Sequence, residues 1–305
     1  TMSLSALIVV YLPIFGTLSE RILTILACSF GFILSYFLGL VFSFNHFISA
    51  LVFGIFSMTA NWITSYLKVK PPKAFFFIML AASGSCIPYN LNAIPKNIGL
   101  VSIGAIMTSF IAIFYSIFFI KNKNNKINNL QIVLKKNKYT DIIESIILGF
   151  FMFISLWSGF LLDIKNPYWI PVSCAAVMQG ATKYHIWERV IQRILGTFLG
   201  LGLCWIVLSI NKSNFSICVS IIVLQFLLET LVPRNYGLAV IFITPLTILL
   251  TEFSSPIIKD TNYFIYLRLM NTVLGSFIGA IGGWAIYHEK IHYAAIKKIR
   301  SIKYK

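Results

Sequence analysis

Two arginines stand inside apolar runs, where a charge is costly. Arg193 follows Arg189 by one helical turn, in a run that stays apolar to Ile210. Arg268 lies about one turn inside the last apolar run of the chain. A cation at the bilayer centre costs at least ~2.5 kcal/mol, so a retained one faces an interior or a cavity and needs a carboxylate, water or an anion beside it. Both are therefore candidates to attract a carboxylate ligand, the alternative being a structural pair with Glu229, which ends its helix just before Pro233-Arg234. Arg189, Glu188 and Glu20 read as interfacial anchors. Tyr168-Trp169 opens a short segment and Trp187 follows its end. These aromatics suit an interfacial belt, or stacking against an aromatic ligand, which Tyr236 could also contact. His185 sits in a loop and reads as solvated.

The rest of the chain offers no reactive constellation. The few carboxylates and histidines form no acid–base, nucleophile or metal set, and no phosphate-binding loop is present. The five cysteines are scattered through apolar stretches without metal-ligand spacing and read as small packing residues. Neither an enzyme nor a cofactor or metal is expected.

Composition names the solvent. The chain is 58% hydrophobic and 11% charged, with a mean hydropathy of +0.84, more apolar surface than a soluble domain of 305 residues can hide. Ile22–Phe44 and Ile98–Ile120 are each 23 residues without a charge, and Phe47–Leu67 is 21. About 20 such residues span the hydrocarbon as a helix. The fold expected is all-α and polytopic, with about eleven membrane segments near 2–16, 20–44, 47–67, 73–88, 98–120, 141–162, 168–181, 188–210, 215–232, 235–252 and 263–287. The basic excess sits in the loops between them, so it reads as topology rather than nucleic-acid binding.

The segments repeat. Ser19-Glu20-Arg21-Ile22-Leu23 is matched by Trp187-Glu188-Arg189-Val190-Ile191, and Ser109-Phe110-Ile111 by Ser276-Phe277-Ile278, at offsets of 168 and 167 residues. The expected organisation is a first membrane repeat over 1–120, a basic linker over 121–140, a second repeat over 141–287 and a basic tail over 288–305. With the linker in the cytoplasm, 20 Lys and Arg fall on the cytoplasmic side and 4 outside. That asymmetry orients the protein and makes the repeats parallel, related by a pseudo-twofold axis along the membrane normal, with the C-terminus cytoplasmic. Asp141–Leu162 has no counterpart in the first copy, and the chain opens Thr1-Met2, so a preceding helix is expected to be missing. No cleavable signal peptide is expected.

Four segments are too short to cross unaided. Tyr168–Ala181 carries Pro171, Met2–Gly16 carries Pro13, Asn235–Glu252 carries Pro245, and Lys73–Pro88 is brief. Broken backbone at membrane depth is tolerated only against protein or a water-filled cavity. Short, proline-interrupted segments at matching places in two copies point to a transport site between the copies, while simple helix kinking is the alternative. The glycine runs Gly196–Gly202 and Gly275–Gly283 read as faces for close helix approach and need no ligand.

The second copy resembles the fusaric acid resistance protein-like family of the aromatic acid exporter clan. The residues that carry the likeness are Pro167-Tyr168-Trp169-Ile170-Pro171, then Arg189 through Gly196-Thr197 with Gly200, then Asn235-Tyr236-Gly237 through Thr244-Pro245-Leu246, and Arg268 with Thr272 and Gly275. It covers 141–287 well and 2–120 only as a degenerate copy, in which Ile25 and Cys28 replace Arg193 and Gly196. The resemblance implies a bacterial inner-membrane exporter of organic anions, aromatic carboxylates above all. Its ligand set would be Arg193, Arg268, Tyr168, Trp169, Tyr236, Thr244 and Glu229. Proton or substrate gradients would drive it. Partners expected are membrane lipids and a periplasmic adaptor or second copy, not nucleic acid. Related plant members imply a passive anion channel as the alternative, and a membrane scaffold or partner subunit is a third reading. Family members carry sizeable cytosolic domains, in place of which this chain has only the linker and tail.

Overall fold

The computed structural model describes residues 2–13, 17–69, 72–119, 138–180, 182–210, 214–232, 234–251 and 261–288. Every regular element among them is helical. A 3-10 helix over Met2–Tyr11 precedes α1 (Leu18–Val41), α2 (His46–Tyr66), α3 (Phe75–Ser85), α4 (Ile94–Phe118), α5 (Lys138–Leu161), α6 (Trp169–Met178), α7 (Lys183–Ile210), α8 (Asn214–Leu231), α9 (Tyr236–Thr251) and α10 (Thr261–Ile286). The eleven expected segments are all present as helices, but only six, within α1, α2, α4, α5, α7 and α10, are long and apolar enough to cross a membrane. The chain is a multi-pass membrane protein. The linker up to residue 137 and the tail from 289 lie outside the described residues.

The chain divides into two compact units, the second being Ile154–His288. The division falls within α5, because that helix is locked to α2 in its first half. Gly149 lies so close to Gly54 that a Cβ on it would meet the Gly54 carbonyl oxygen at 2.7 Å, and Asn61 donates to Ser145 Oγ at 3.0 Å.

In the first unit, α1 packs against α3, α4 and the 3-10 helix, and α2 packs against α3. Its core is Ile8, Tyr11, Ile25, Phe32, Tyr36, Leu40, Leu80 and Val101, with Tyr11 and Phe77 both set against the Phe32 ring. Helix α1 begins at a capping box: Thr17 Oγ1 accepts from the Glu20 amide and Glu20 accepts from the Thr17 amide at 2.9 Å. Glu20 is thus a helix start signal, where the sequence reading made it an interfacial anchor. Thr17→Ala will lower stability by about 1 kcal/mol, read as a fall in thermal midpoint of the detergent-solubilised protein.

The second unit pairs α7 with α9 and α10, α6 with α10 and α7, and α8 with α9. Glycines set the spacing at two of these contacts. A Cβ at Gly279 would lie 2.8 Å from the Cys174 carbonyl oxygen, and one at Gly275 would overlap the Ile170 carbonyl oxygen, so α10 touches the α6 backbone directly. Pro245, inside α9, leaves the Ile241 carbonyl without its helical donor. That oxygen faces Gly200 of α7, where a Cβ would sit only 2.7 Å away.

Candidate functional site

Helix α6 is the element around which the second unit's polar groups gather. At ten residues it is roughly 15 Å long, half of the ~30 Å hydrocarbon, and all ten of its residues are buried. Such a half-helix leaves carbonyls without partners at its end, in surroundings where each orphan is costly. Side chains from α7 and α10 meet this need. Arg189 Nη1 donates to the Ala176 carbonyl at 2.9 Å, Tyr287 Oη donates to that of Gly180 at 2.9 Å, and Asn271 Nδ2 reaches that of Asn166 at 3.4 Å. A cation at the C-terminal end of α6 also suits the helix dipole.

Three arginines follow one face of this helix. Arg268 of α10 lies over the Trp169 ring, 3.0 Å from its centroid, and donates to Thr247 Oγ1 of α9 at 3.1 Å. Arg193 of α7 reaches Ser173 Oγ at 3.5 Å. Arg189, half-buried, reaches Ala176 and lies 5.0 Å from the centre of the Tyr236 ring. Positions 169, 173 and 176 are spaced by one turn each, so successive guanidinium groups are stepped by roughly 5 Å along α6.

Arg193 differs from its neighbours. It is only 4% exposed, its contact with Ser173 is long, and its buried Nε has no partner among the described residues. The other buried polar residues of the second unit are Ser155, Ser173, Thr197, Thr244, Arg268, Asn271, Thr272 and Ser276, and none of the described buried residues of the chain is Asp or Glu. Two further buried donors, Trp169 Nε1 and Ser276 Oγ, also lack partners. The interior of this unit is therefore cationic and rich in hydroxyl groups, an arrangement that accepts an anion and offers hydrogen bonds to it. Among the described residues no group of His, Cys, Asp and Glu could hold a metal ion.

The sequence-derived candidates separate into two groups. Arg193, Arg268 and Trp169 come together along α6, with half-buried Tyr168 against Trp169, ring centres 4.8 Å apart. Trp169 is buried under Arg268, so it is not part of an interfacial belt, whereas Trp187 is exposed. Tyr236 begins α9 at the other end from Thr247, roughly 16 Å away along the helix, and so joins Arg189 rather than Trp169. Thr244 is buried, but its hydroxyl donates to the Val240 carbonyl at 3.0 Å and its side chain packs against Gly200, so it serves the α7–α9 contact. Glu229 is exposed and accepts from Gln225 of its own helix at 2.8 Å, away from the face where Arg193 lies.

Residues outside that candidate set also matter. Arg189, read from sequence as an interfacial anchor, also caps α6, and its one-turn spacing to Arg193 was the signal for a shared face. Arg21, counted from sequence only as a cytoplasmic cation, is 2% exposed in the first unit and reaches Ser116 Oγ at 3.5 Å. Thr247, Asn271 and Tyr287 carried no signal, because their partners lie 21, 105 and 107 residues away.

Known proteins match part of the chain. Residues 150–282 match the family described as fusaric acid resistance protein-like, which bears out the resemblance there and encloses α6 through most of α10. A Bacillus subtilis (strain 168) protein described as "Uncharacterized membrane protein YvaC" is 36% identical over 148 residues, 48% of this chain. The aligned stretch is 23% of that relative's length. No solved structure matches significantly.

Proposed function

We propose that this chain, fusaric acid resistance protein-like over residues 150–282, is a membrane transporter that exports organic anions, with aromatic carboxylates as its main substrates. Arg193 carries the reading: a guanidinium buried within a membrane-spanning helix, with Nε unpartnered among the described residues and the Ser173 hydroxyl at 3.5 Å. A carboxylate is the ligand that neutralises such a group and accepts its hydrogen bonds at once. Trp169 and Tyr168 add ring surface at the end of α6 where Arg268 lies, which supports an aromatic substrate. The chain's own residues bind and pass the anion between cations and perform no bond-making chemistry. We further propose that residues 1–120 and 141–287 are two copies of one membrane repeat, with the C-terminus cytoplasmic, in a bacterial inner membrane. The matching pairings of α1 with α3 and α4, and of α7 with α9 and α10, support the repeat.

The stepped cations along α6 also favour a second reading, a passive anion channel, because an ion can move between sites roughly 5 Å apart without a large rearrangement. Flux of a labelled aromatic acid from proteoliposomes holding the full chain tests the proposal. Saturable efflux that aliphatic acids inhibit poorly is the expected result. Ohmic anion current without saturation would replace the exporter with the channel, and no flux of any organic or inorganic anion would remove both.

A further inference from the structure

A groove of about 150 Å³ lies on the outside of the second unit, lined by Trp187 of α7 and Phe277, Ala280, Ile281 and Trp284 of α10. Trp187, Phe277, Ile281 and Trp284 are each about half exposed, and no polar side chain is among the five. Its two walls run antiparallel: Ile186 lies against Gly283, so the start of α7 and the end of α10 share one membrane boundary. The membrane-crossing stretches of these helices are bounded there by Lys183 and Ile286.

The mouth of the groove, unlike its walls, is polar. Lys183 is exposed and precedes Trp187 by four residues, so the two share a helix face. His288 follows α10 and its ring meets the Trp284 ring at 4.7 Å, edge to face. Its Nδ1 is buried and has no partner among the described residues. Glu188 belongs to the neighbouring row of α7, where it accepts from Gln192 at 2.9 Å. A basic residue at the membrane boundary thus shares a helix face with one wall of the aromatic slot.

We propose that this groove is a binding site for one anionic phospholipid. The headgroup phosphate sits at Lys183 and His288, and an acyl chain lies between Trp187 and Trp284 down to Phe277. The occupant follows from size and charge. A groove of about 150 Å³ lined by only five apolar residues offers little room for an α-helix about 10–12 Å across with its side chains, whereas an acyl chain is a narrow apolar rod. A lysine near the surface favours an anionic lipid, and indole rings at the headgroup level pack against the first methylenes. The site is separate from the α6 arginines and does not depend on the transport reading.

Native mass spectrometry of the full chain, released from micelles with equal phosphatidylglycerol and phosphatidylcholine, tests this. The wild type will retain phosphatidylglycerol preferentially, by about fivefold, the weight of one lysine near an anionic surface. Lys183→Gln will remove that preference and leave phosphatidylcholine retention as it was. Ile281→Trp, at an exposed position, will fill the groove and reduce retention of both lipids with the thermal midpoint unchanged. Equal retention of the two lipids by the wild type, or wild-type retention by both variants, overturns the proposal. So does a change in oligomeric mass with lipid retention unaltered, which would make the groove a contact between copies.

Discussion

Replacing Arg193 with Met will cut organic-anion flux sharply while the protein remains as heat-stable as the wild type, or more so. The two halves of this expectation have different causes. A buried ion exchanged for an apolar side chain of similar volume is often neutral or stabilising by about 1–4 kcal/mol, because the desolvation cost of the charge disappears. Arg193 has little to lose in exchange: its contact with Ser173 is 3.5 Å and its Nε has no partner. A charge-assisted hydrogen bond to a bound carboxylate is worth about 1.5–3 kcal/mol, so its loss should cut flux at low substrate by roughly 10- to 100-fold. Arg193→Lys keeps the charge but not the planar fork and should retain part of the flux. Proteoliposome efflux normalised to inserted protein, together with thermal unfolding in detergent, reads both effects. Undiminished flux in the Met variant would remove Arg193 from the site, and a large drop in thermal midpoint would make it structural.

Gly275→Ala will disturb the site without touching any of its charges. A Cβ there would overlap the Ile170 carbonyl oxygen and lie 2.9 Å from Ser173 Cβ. The obstacle is backbone, so no rotamer change relieves it, and α6 must move away from α10. Overpacking of this kind costs about 1–3 kcal/mol. The displaced helix carries both Trp169 and Ser173, so the stacking of Arg268 and the contact of Arg193 fail together. Lower thermal stability and lost flux in the same variant are expected. Gly202→Ala is the control, because nothing lies within 4 Å of a Cβ at that position. If the two variants behave alike, the close approach of α10 to α6 has no part in function.

Much of this arrangement was legible in local sequence. Length and hydropathy located all eleven helices within a few residues, because hydrocarbon thickness and helical rise tie segment length to membrane crossing. Pro171 and the brevity of Tyr168–Ala181 marked α6 as a broken helix, and the cost of membrane-embedded charge marked Arg193 and Arg268. The same reasoning did not reveal that Arg189 caps α6 or that Arg21 is buried. A charge one or two turns inside a helix end can snorkel to the interface or turn inward, and its own sequence neighbours do not decide which. Glu229 and Thr244 were misleading for a related reason: a polar residue in an apolar run can satisfy itself within its own helix, as Glu229 does with Gln225 and Thr244 with the Val240 carbonyl.

The sequence by itself determined the all-helical, membrane-spanning class, the positions of the helices, the broken segment and the likeness to fusaric acid resistance proteins over the second unit. Each of these depends on composition and spacing within one segment, which a linear reading contains. Only the tertiary structure decided that Arg268, Arg193 and Arg189 line one face of α6, that Trp169 lies beneath a guanidinium, and that Arg193 Nε is buried without a partner among the described residues. Those facts depend on how closely α7 and α10 approach α6 and on their rotation about their own axes. Contacts between residues 13 to 107 positions apart in the chain fix that geometry, through glycine surfaces that no single segment reveals.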